Sequence, residues 1–166
     1  AGNIFLGFIA ILKAFEGSMA ASAGGDSMEQ AFTAAAKAIG WAVLLDGLDG
    51  RIARMTNTVS AFGREMDSLA DVITFGIAPA VLAFAWGVQF TLPGGFLLDR
   101  RPGYFIAFLF LLCGAARLAR FNVQTNPKPK NPGRPDRKYF VGLPIPAAAG
   151  MVAAVTYAFD SIPLQS

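Results

Sequence analysis

Residues 46–71 read DGLDGRIARMTNTVSAFGREMDSLAD, and this stretch carries four aspartates on the two sides of one short connection. Asp46 and Asp49 are spaced i, i+3, whereas Asp67 and Asp71 are spaced i, i+4. Each spacing places two carboxylates on one face of a helix. Because a short connection makes two helices antiparallel neighbours, we expect the two acidic faces to meet.

The sequence on both sides of this stretch is typical of a membrane protein. Of the 166 residues, 54% are hydrophobic and 15% are charged, whereas roughly 25% of the residues in an average soluble domain are charged. Uncharged runs occupy residues 72–98, 102–116 and 139–159, and a membrane-spanning helix needs about 20 mostly apolar residues. The middle run reaches this length when Arg117 and Arg120 extend to the interface.

We predict an all-α, polytopic integral-membrane helix bundle that forms a single domain over residues 1–166. Its five hydrophobic helices are expected at residues 2–15, 28–55, 62–90, 103–122 and 140–159. We expect Gly17, Gly24 and Gly25 to form a loop after the first helix. A turn from Pro93 through Arg100 and Arg101, and a proline-rich basic loop over residues 126–138, form the later connections. The first residues lack the charged segment of a signal peptide, so the sequence is expected to begin inside a helix.

Basic residues are distributed unevenly between the two sides of this bundle. The side with the connection after Asp49 and the proline-rich loop carries ten of them: Arg51, Arg54, Arg64, Arg117, Arg120, Lys128, Lys130, Arg134, Arg137 and Lys138. The other side carries four, namely Lys13, Lys37, Arg100 and Arg101. Positive residues mark the cytoplasmic face, so we expect the aspartates near the cytoplasmic face of a prokaryotic membrane. The basic loop either follows this rule alone or also binds anionic lipids.

The available residue types limit the chemistry. The chain has no histidine and one cysteine, Cys113, which excludes a Ser-His triad, histidine-ligated zinc and an internal disulfide. Four neighbouring carboxylates repel one another unless cations neutralise them. An all-oxygen set suits Mg²⁺ or Mn²⁺, with Ca²⁺ as another occupant. The alternative is a structural network in which the aspartates pair with Arg51, Arg54 and Arg64.

Small residues are interleaved with the aspartates. Gly50, Ala53 and Gly63 leave room for a bulky ligand, and Arg54 adds a cation that suits phosphate. Taken singly, each glycine is better explained by helix packing. Together with the aspartates, these residues indicate a site for a phosphate-containing ligand.

The pattern D-x2-D-G-x2-A-R-x8-G-x3-D-x3-D from Asp46 to Asp71 resembles the signature of the CDP-alcohol phosphatidyltransferase family, with every position filled. The resemblance implies a six-helix membrane fold, usually a homodimer. A sixth helix is therefore expected beyond the five visible ones, with both ends of the chain truncated. The resemblance also implies two metal ions and a reaction in which an alcohol attacks the phosphorus next to the diacylglycerol of CDP-diacylglycerol, and CMP leaves.

The resemblance implies a role for each matching position. Asp46, Asp49, Asp67 and Asp71 would be metal ligands, and Asp71 would also be the catalytic base. The CDP-lipid site would be formed by Gly50, Ala53, Arg54, Gly63 and Asn3, which has Gly7 four residues later. The chemistry agrees, because cations neutralise a pyrophosphate and an attacking alcohol needs a base within hydrogen-bond reach.

Other segments of the sequence indicate which alcohol is the acceptor. The stretches DSLADVITFGIAPA (67–80), CGAARLARFN (113–122) and YFVGLPIPAAAG (139–150) are most similar to the branch of this family that uses L-serine. Arg117 and Arg120 can bind a carboxylate bidentately, and Asn122 can add a polar contact. Alternatively, both arginines only anchor the helix end to lipid headgroups. Pro144 and Pro146 are expected to break the last helix, either beside a cavity or as a plain kink.

Other functions are compatible with parts of this pattern. Glycerol 3-phosphate or an inositol compound would need further cations, which the basic loop can supply. A membrane cation transporter would also use intramembrane acidic residues, but these aspartates cluster at one end and Arg54 has no role in transport. A structural membrane subunit is the remaining alternative. The expected partners are CDP-diacylglycerol, L-serine and membrane lipids, with no nucleic acid.

Overall fold

The computed structural model describes residues 2–23, 27–56, 61–88, 100–125 and 143–160, and these residues are almost entirely helical. The α-helices are α1 (Gly2–Ala23), α2 (Ser27–Thr56), α3 (Ala61–Asp71), α4 (Ala78–Val88), α5 (Arg100–Thr125) and α6 (Ile145–Asp160). A π-helical segment, Val72–Ile77, joins α3 to α4 without a break. The described residues therefore form five helical rods and contain no strand, which confirms the predicted all-α fold.

Four of the rods are long and apolar enough to cross a membrane. These candidate spans are Gly2–Ala21, Ser27–Arg51, Glu65–Gly87 and Pro102–Val123. The fifth rod has a shorter apolar stretch, Ile145–Phe159. The chain is therefore a polytopic integral-membrane protein, as its composition predicts.

Helix α1 is longer than the sequence predicts, because Gly17 does not break it. The helix continues to Ala23. A Cβ atom at Gly17 would lie only 2.7 Å from Cε1 of Phe32, which is completely buried on α2. Gly17 is therefore a packing residue that allows close approach of two helices. Gly24 and Gly25 lie outside the described residues.

Helices α1 and α2 are antiparallel and share a core of mostly small side chains. Gly17 packs on Phe32, whereas at the other end of α1 the side chain of Asn3 bonds Asp46. The buried stripe on α1 contains Asn3, Gly7, Ala10, Ala14 and Gly17, and that on α2 contains Phe32, Ala35, Ile39 and Ala42. These residues recur every three or four positions, as on one helix face. The same spacing continues from Ala42 to Asp46, so the apolar stripe of α2 leads into an acidic end.

Helix α5 runs antiparallel along the rod formed by α3, the π-helical segment and α4. The rings of Tyr104 and Phe84 stack with centroids 4.6 Å apart, and Asn122 donates a hydrogen bond to Ser68. The end of α5 therefore lies beside the start of α3. Helix α5 begins earlier than expected, because Arg100 and Arg101 belong to its first turn and not to the preceding connection. Pro102 also lies in this first turn, where the missing N–H of proline is tolerated. The predicted turn at Pro93 and the loop over residues 126–138 lie outside the described residues.

The prolines near α6 mark its beginning and do not break it. The helix starts at Ile145, and the carbonyl of Pro144 accepts a 3.1 Å hydrogen bond from the N–H of Ala148. Pro146 lies in the first turn, where proline is readily accommodated. The helix expected over residues 140–159 thus excludes the described residues 143 and 144. The expected break at the two prolines is wrong.

The π-helical segment is explained by the proline that follows it. Pro79 lies on α4, and a proline ring inside an α-helix clashes with the carbonyl four residues earlier. Here the N–H of Ala78 bonds the carbonyl of Ile73, five residues earlier. This wider turn accommodates Pro79 in a continuous rod, and π-helical turns are common at functional sites.

The contact between Gly17 and Phe32 predicts a stability effect. Gly17→Ala should lower the free energy of unfolding by about 1–3 kcal/mol, because overpacking a tight contact displaces neighbours. Gly40→Ala on α2 is the matched control, since nothing lies within 4 Å of the added methyl group. Thermal unfolding in detergent measures both variants. Equal melting temperatures for the two would contradict the packing role of Gly17.

Candidate metal centre and ligand cavity

The end of α2 and the start of the α3 rod bring three carboxylates together. One oxygen each from Asp46, Asp67 and Asp71 lies within 4.8 Å of the other two. The two acidic faces predicted from the sequence therefore meet. Asp46 and Asp71 are partly buried, whereas Asp67 is exposed.

Asp49 lies beside this cluster but is not one of its three members. It is exposed one turn beyond Asp46 and lines a cavity together with Asp67. Three of the four predicted ligands thus form a close group, and the fourth, Asp49, lines the adjacent cavity.

Asn3 joins α1 to the cluster. It is 4% exposed, and its Nδ2 donates a 2.9 Å hydrogen bond to Oδ1 of Asp46. Its backbone carbonyl accepts a 3.0 Å hydrogen bond from Oγ1 of Thr74. The asparagine singled out in the sequence therefore contacts a predicted ligand directly.

The donor set fits a hard divalent cation. Oδ1 of Asp71 is buried and has no hydrogen-bond partner among the described residues, and a buried carboxylate oxygen normally has a donor or a cation. Oxygens bound to one Mg²⁺ or Ca²⁺ at about 2.0–2.6 Å lie no more than about 4–5 Å apart. The 4.8 Å limit on the three carboxylates agrees with this requirement. The cluster can therefore hold a metal ion.

A cavity of about 600 Å³ opens beside the cluster and has two kinds of wall. Its polar side chains are Asn3, Asp49 and Asp67, and Gly63 adds a small residue to the lining. Its apolar lining includes Phe5, Phe8, Phe62 and Met66, all of which are exposed on the surface of the bundle. The cavity thus connects an acidic end with an apolar surface, and it suits a ligand that has both a charged and a hydrocarbon part.

The remaining predicted residues of the CDP-lipid site lie on α2. Gly50 is partly buried and directly follows Asp49. Ala53 and Arg54 belong to the last turns of the helix, and their side chains lie outside the described part of the chain. Gly63 and Asn3 are members of this predicted set that line the cavity.

The predicted acceptor residues differ in their positions on α5. Asn122 donates a 2.8 Å hydrogen bond to Oγ of Ser68, which follows Asp67 directly. Leu111 of α5 contacts Gly76 on the π-helical segment, and Arg117 lies between Leu111 and Asn122 along the helix. The backbone of Arg117 is therefore level with Asp71, and its side chain is partly buried.

Arg120 is directed away from the side of α5 that carries Leu118 and Asn122. It is two residues from both Leu118, which packs on the core, and Asn122, and two residues turn a helix by about 200°. Its side chain is exposed. The expectation that both arginines face the aspartates stays a prediction.

Several residues of this region were not singled out from the sequence. They are Thr74 and Ser68, which make the hydrogen bonds between helices, and the apolar cavity residues Phe5, Phe8, Phe62 and Met66. The spacing of Thr74 three residues after Asp71 was a usable signal, because it places both on one helix face. The aromatic residues gave no such signal, since apolar residues occur throughout a membrane helix.

Fold and site together define a polytopic membrane protein with an acidic cation site beside a cavity open to the lipid-facing surface. Residues 2–165 match the CDP-alcohol phosphatidyltransferase family. The chain belongs to this family.

The chain is also similar to individual curated proteins of several organisms. The chain is 44% identical over 124 residues to a protein of Saccharomyces cerevisiae, and 49% identical over 111 residues to one of Helicobacter pylori, both named CDP-diacylglycerol–serine O-phosphatidyltransferase. These matches cover 71% and 66% of this chain and 41% and 40% of the relatives. The archaetidylserine synthase of Methanothermobacter thermautotrophicus is 36% identical over 154 residues, or 92% of this chain and 53% of that protein. The chain thus spans about half or less of these relatives.

Removal of one carboxylate charge should weaken cation binding. Asp71→Asn should lower the affinity for Mn²⁺ more than about tenfold, because even residues that only orient metal ligands contribute about 10- to 100-fold. Glu29→Gln makes the same chemical change at an exposed position at the start of α2 and is the control. Titration with Mn²⁺ followed by electron paramagnetic resonance measures both. Wild-type affinity in Asp71→Asn would show that this carboxylate is not a ligand.

Proposed function

We propose that this chain carries the catalytic centre of a CDP-diacylglycerol–serine O-phosphatidyltransferase, a phosphatidylserine synthase of the membrane-embedded type. The serine hydroxyl oxygen forms a bond to the phosphorus next to diacylglycerol. The bond from that phosphorus to the oxygen of the CMP phosphate breaks. Phosphatidylserine and CMP are the products.

The single observation that carries this proposal is the cavity that begins at the acidic cluster and is lined further out by exposed apolar residues. A CDP-linked lipid needs both, because its pyrophosphate is highly charged and its acyl chains belong in the bilayer. Phe5, Phe8 and Phe62 line the cavity and are exposed where acyl chains can reach them. Family membership supports the same type of substrate.

Asp46, Asp49, Asp67 and Asp71 are the proposed ligands of two divalent ions, Mg²⁺ or Mn²⁺. When bound, such ions neutralise the pyrophosphate and stabilise the charge that develops on the leaving phosphate. The three-membered carboxylate cluster and the free buried oxygen of Asp71 support this assignment. Asp49 lines the same cavity as Asp67 and is the proposed fourth ligand.

Asp71 is the proposed general base. It lies one turn beyond Asp67 on the same rod, and one of its oxygens has no hydrogen-bond donor among the described residues. In this role it accepts the serine hydroxyl proton as the new oxygen–phosphorus bond forms. Asn3, Gly50, Ala53, Arg54 and Gly63 are proposed to hold the CDP part of the substrate. The small residues leave room for the ligand, and a guanidinium suits phosphate.

Serine is the proposed acceptor, because the names of the similar proteins share it even where their lipids differ. Arg117 is level with Asp71 and is proposed to bind the serine carboxylate, while Asn122 is held beside Asp67 through Ser68. The exposed position of Arg120 on α5 favours contact with lipid headgroups. We further propose one domain over residues 1–166, a homodimer, and a site near the cytoplasmic face of a prokaryotic membrane.

An acceptor panel tests the reaction. Full-length protein in detergent with CDP-diacylglycerol and Mn²⁺ should release CMP when L-serine is added, but not with glycerol 3-phosphate or inositol. Chelation with EDTA should stop release, and excess Mn²⁺ should restore it. Phosphatidylserine is detected by mass spectrometry in parallel. If CMP is released with another acceptor and not with L-serine, that acceptor is the substrate and serine is not. If no acceptor causes release, the proposed transfer is refuted.

The two arginines of α5 provide a matched pair. Arg117→Ala should raise the KM for L-serine about tenfold or more, because a hydrogen bond between charged groups contributes about 1.5–3 kcal/mol. The KM for CDP-diacylglycerol should change little. Arg120→Ala removes the same type of side chain from an exposed position of α5 and should leave the serine KM unchanged. The reverse ranking of the two variants would exclude Arg117 as the carboxylate ligand.

A further inference from the structure

Thr74 is a completely buried residue of the π-helical segment whose hydroxyl bonds a different helix. Its Oγ1 donates a 3.0 Å hydrogen bond to the backbone carbonyl of Asn3 on α1. A threonine inside a helix commonly donates to the carbonyl four residues earlier in its own helix. Thr156 of α6, 1% exposed, does so by donating to Val152 at 3.0 Å. Thr74 differs because it ties the rod that carries Asp71 to α1.

Asn3 extends this connection to the acidic cluster. The residue whose carbonyl accepts from Thr74 also donates from Nδ2 to Oδ1 of Asp46 at 2.9 Å. Asp46 comes from α2, whereas Asp67 and Asp71 come from the rod of Thr74. Asn3 therefore connects the two sources of carboxylates, and the hydroxyl of Thr74 holds Asn3 against the rod.

Gly7 allows this contact to form. A Cβ atom at Gly7 would lie 2.7 Å from Oγ1 and 2.8 Å from Cα of Thr74. Both distances are too short for a methyl group, and one of them involves the backbone. Any larger residue at this position would push α1 away from the π-helical segment and separate Thr74 from the Asn3 carbonyl.

We propose that Thr74 is a positioning residue that raises the cation affinity of the aspartate cluster by holding Asn3, and through it Asp46, in register with Asp67 and Asp71. A cation site depends on oxygens held at set distances, and a site with a loosely held supporting residue loses affinity. The inference rests on the proposed metal-dependent function, and it assigns a role to residues outside the acidic signature.

Direct Mn²⁺ binding to the full-length protein in detergent, without lipid or serine, tests the proposal. Thr74→Val keeps the shape and removes the hydroxyl, so the affinity should fall about three- to tenfold, the value of one hydrogen bond. Thr74→Ser keeps the hydroxyl and should bind as the wild type does. Thr156→Val removes a buried hydroxyl that does not lead to the cluster, and it should also bind normally. Wild-type affinity in Thr74→Val, or an equal loss in Thr156→Val, would overturn the proposal.

Two further variants keep the test decisive if Thr74→Val does not fold. Gly7→Ala should reduce Mn²⁺ affinity by a similar factor, and normal affinity in folded Gly7→Ala protein would overturn the proposal. In a double-mutant cycle, Asn3→Ala should abolish the effect of Gly7→Ala, because the connection to Asp46 is already lost. Additive effects of Asn3→Ala and Gly7→Ala on Mn²⁺ affinity would overturn the proposal.

The Mn²⁺ dependence of the reaction rate distinguishes a positioning role of Thr74 from general damage to the site. With CDP-diacylglycerol and L-serine, Thr74→Val should need about three- to tenfold more Mn²⁺ for half-maximal rate but approach the wild-type kcat at saturating Mn²⁺. A lower kcat with an unchanged Mn²⁺ requirement would contradict the proposal. Wild-type protein that binds Mn²⁺ but transfers nothing would refute the proposed function alone, since the binding experiment contains no substrate.

Discussion

Three carboxylates within 4.8 Å of one another, inside an otherwise apolar helix bundle, are the constraint on which the rest of the structure depends. Ionised groups in a membrane protein are costly unless they are paired, and like charges at this distance repel. The buried oxygen of Asp71 has no hydrogen-bond donor in the part of the chain that the structure describes. A divalent cation resolves all three problems at once, which is why the donor set indicates a metal centre.

The helix packing serves to bring this cluster together. Small residues on α1 and α2 allow close approach, as Gly17 does against Phe32, and the same stripes end in Asn3 and Asp46. The α3 rod brings Asp67 and Asp71 to the same end, and α5 returns to it at Asn122. Polar groups therefore collect at one end of the bundle, beside a cavity whose outer wall is apolar.

The sequence alone predicts the acidic cluster well, because helical spacing is local and Asp46, Asp67 and Asp71 obey it. It predicts tertiary roles poorly. Gly17 appears as a loop residue until Phe32 is placed against it, since glycine both breaks helices and permits close packing. Arg120 shares an i, i+3 spacing with Arg117, but only the contacts of α5 define which face meets α3. The hydrogen bond of Thr74 could not be predicted for the same reason, because its partner is 71 residues away.

The metal centre is tested most directly by an anomalous diffraction map from crystals of the protein grown with Mn²⁺. We expect a peak surrounded by carboxylate oxygens of Asp46, Asp67 and Asp71, each within about 2.0–2.6 Å of the ion. A map with no peak among these side chains at saturating Mn²⁺, or with the carboxylates directed away from one another, would contradict it.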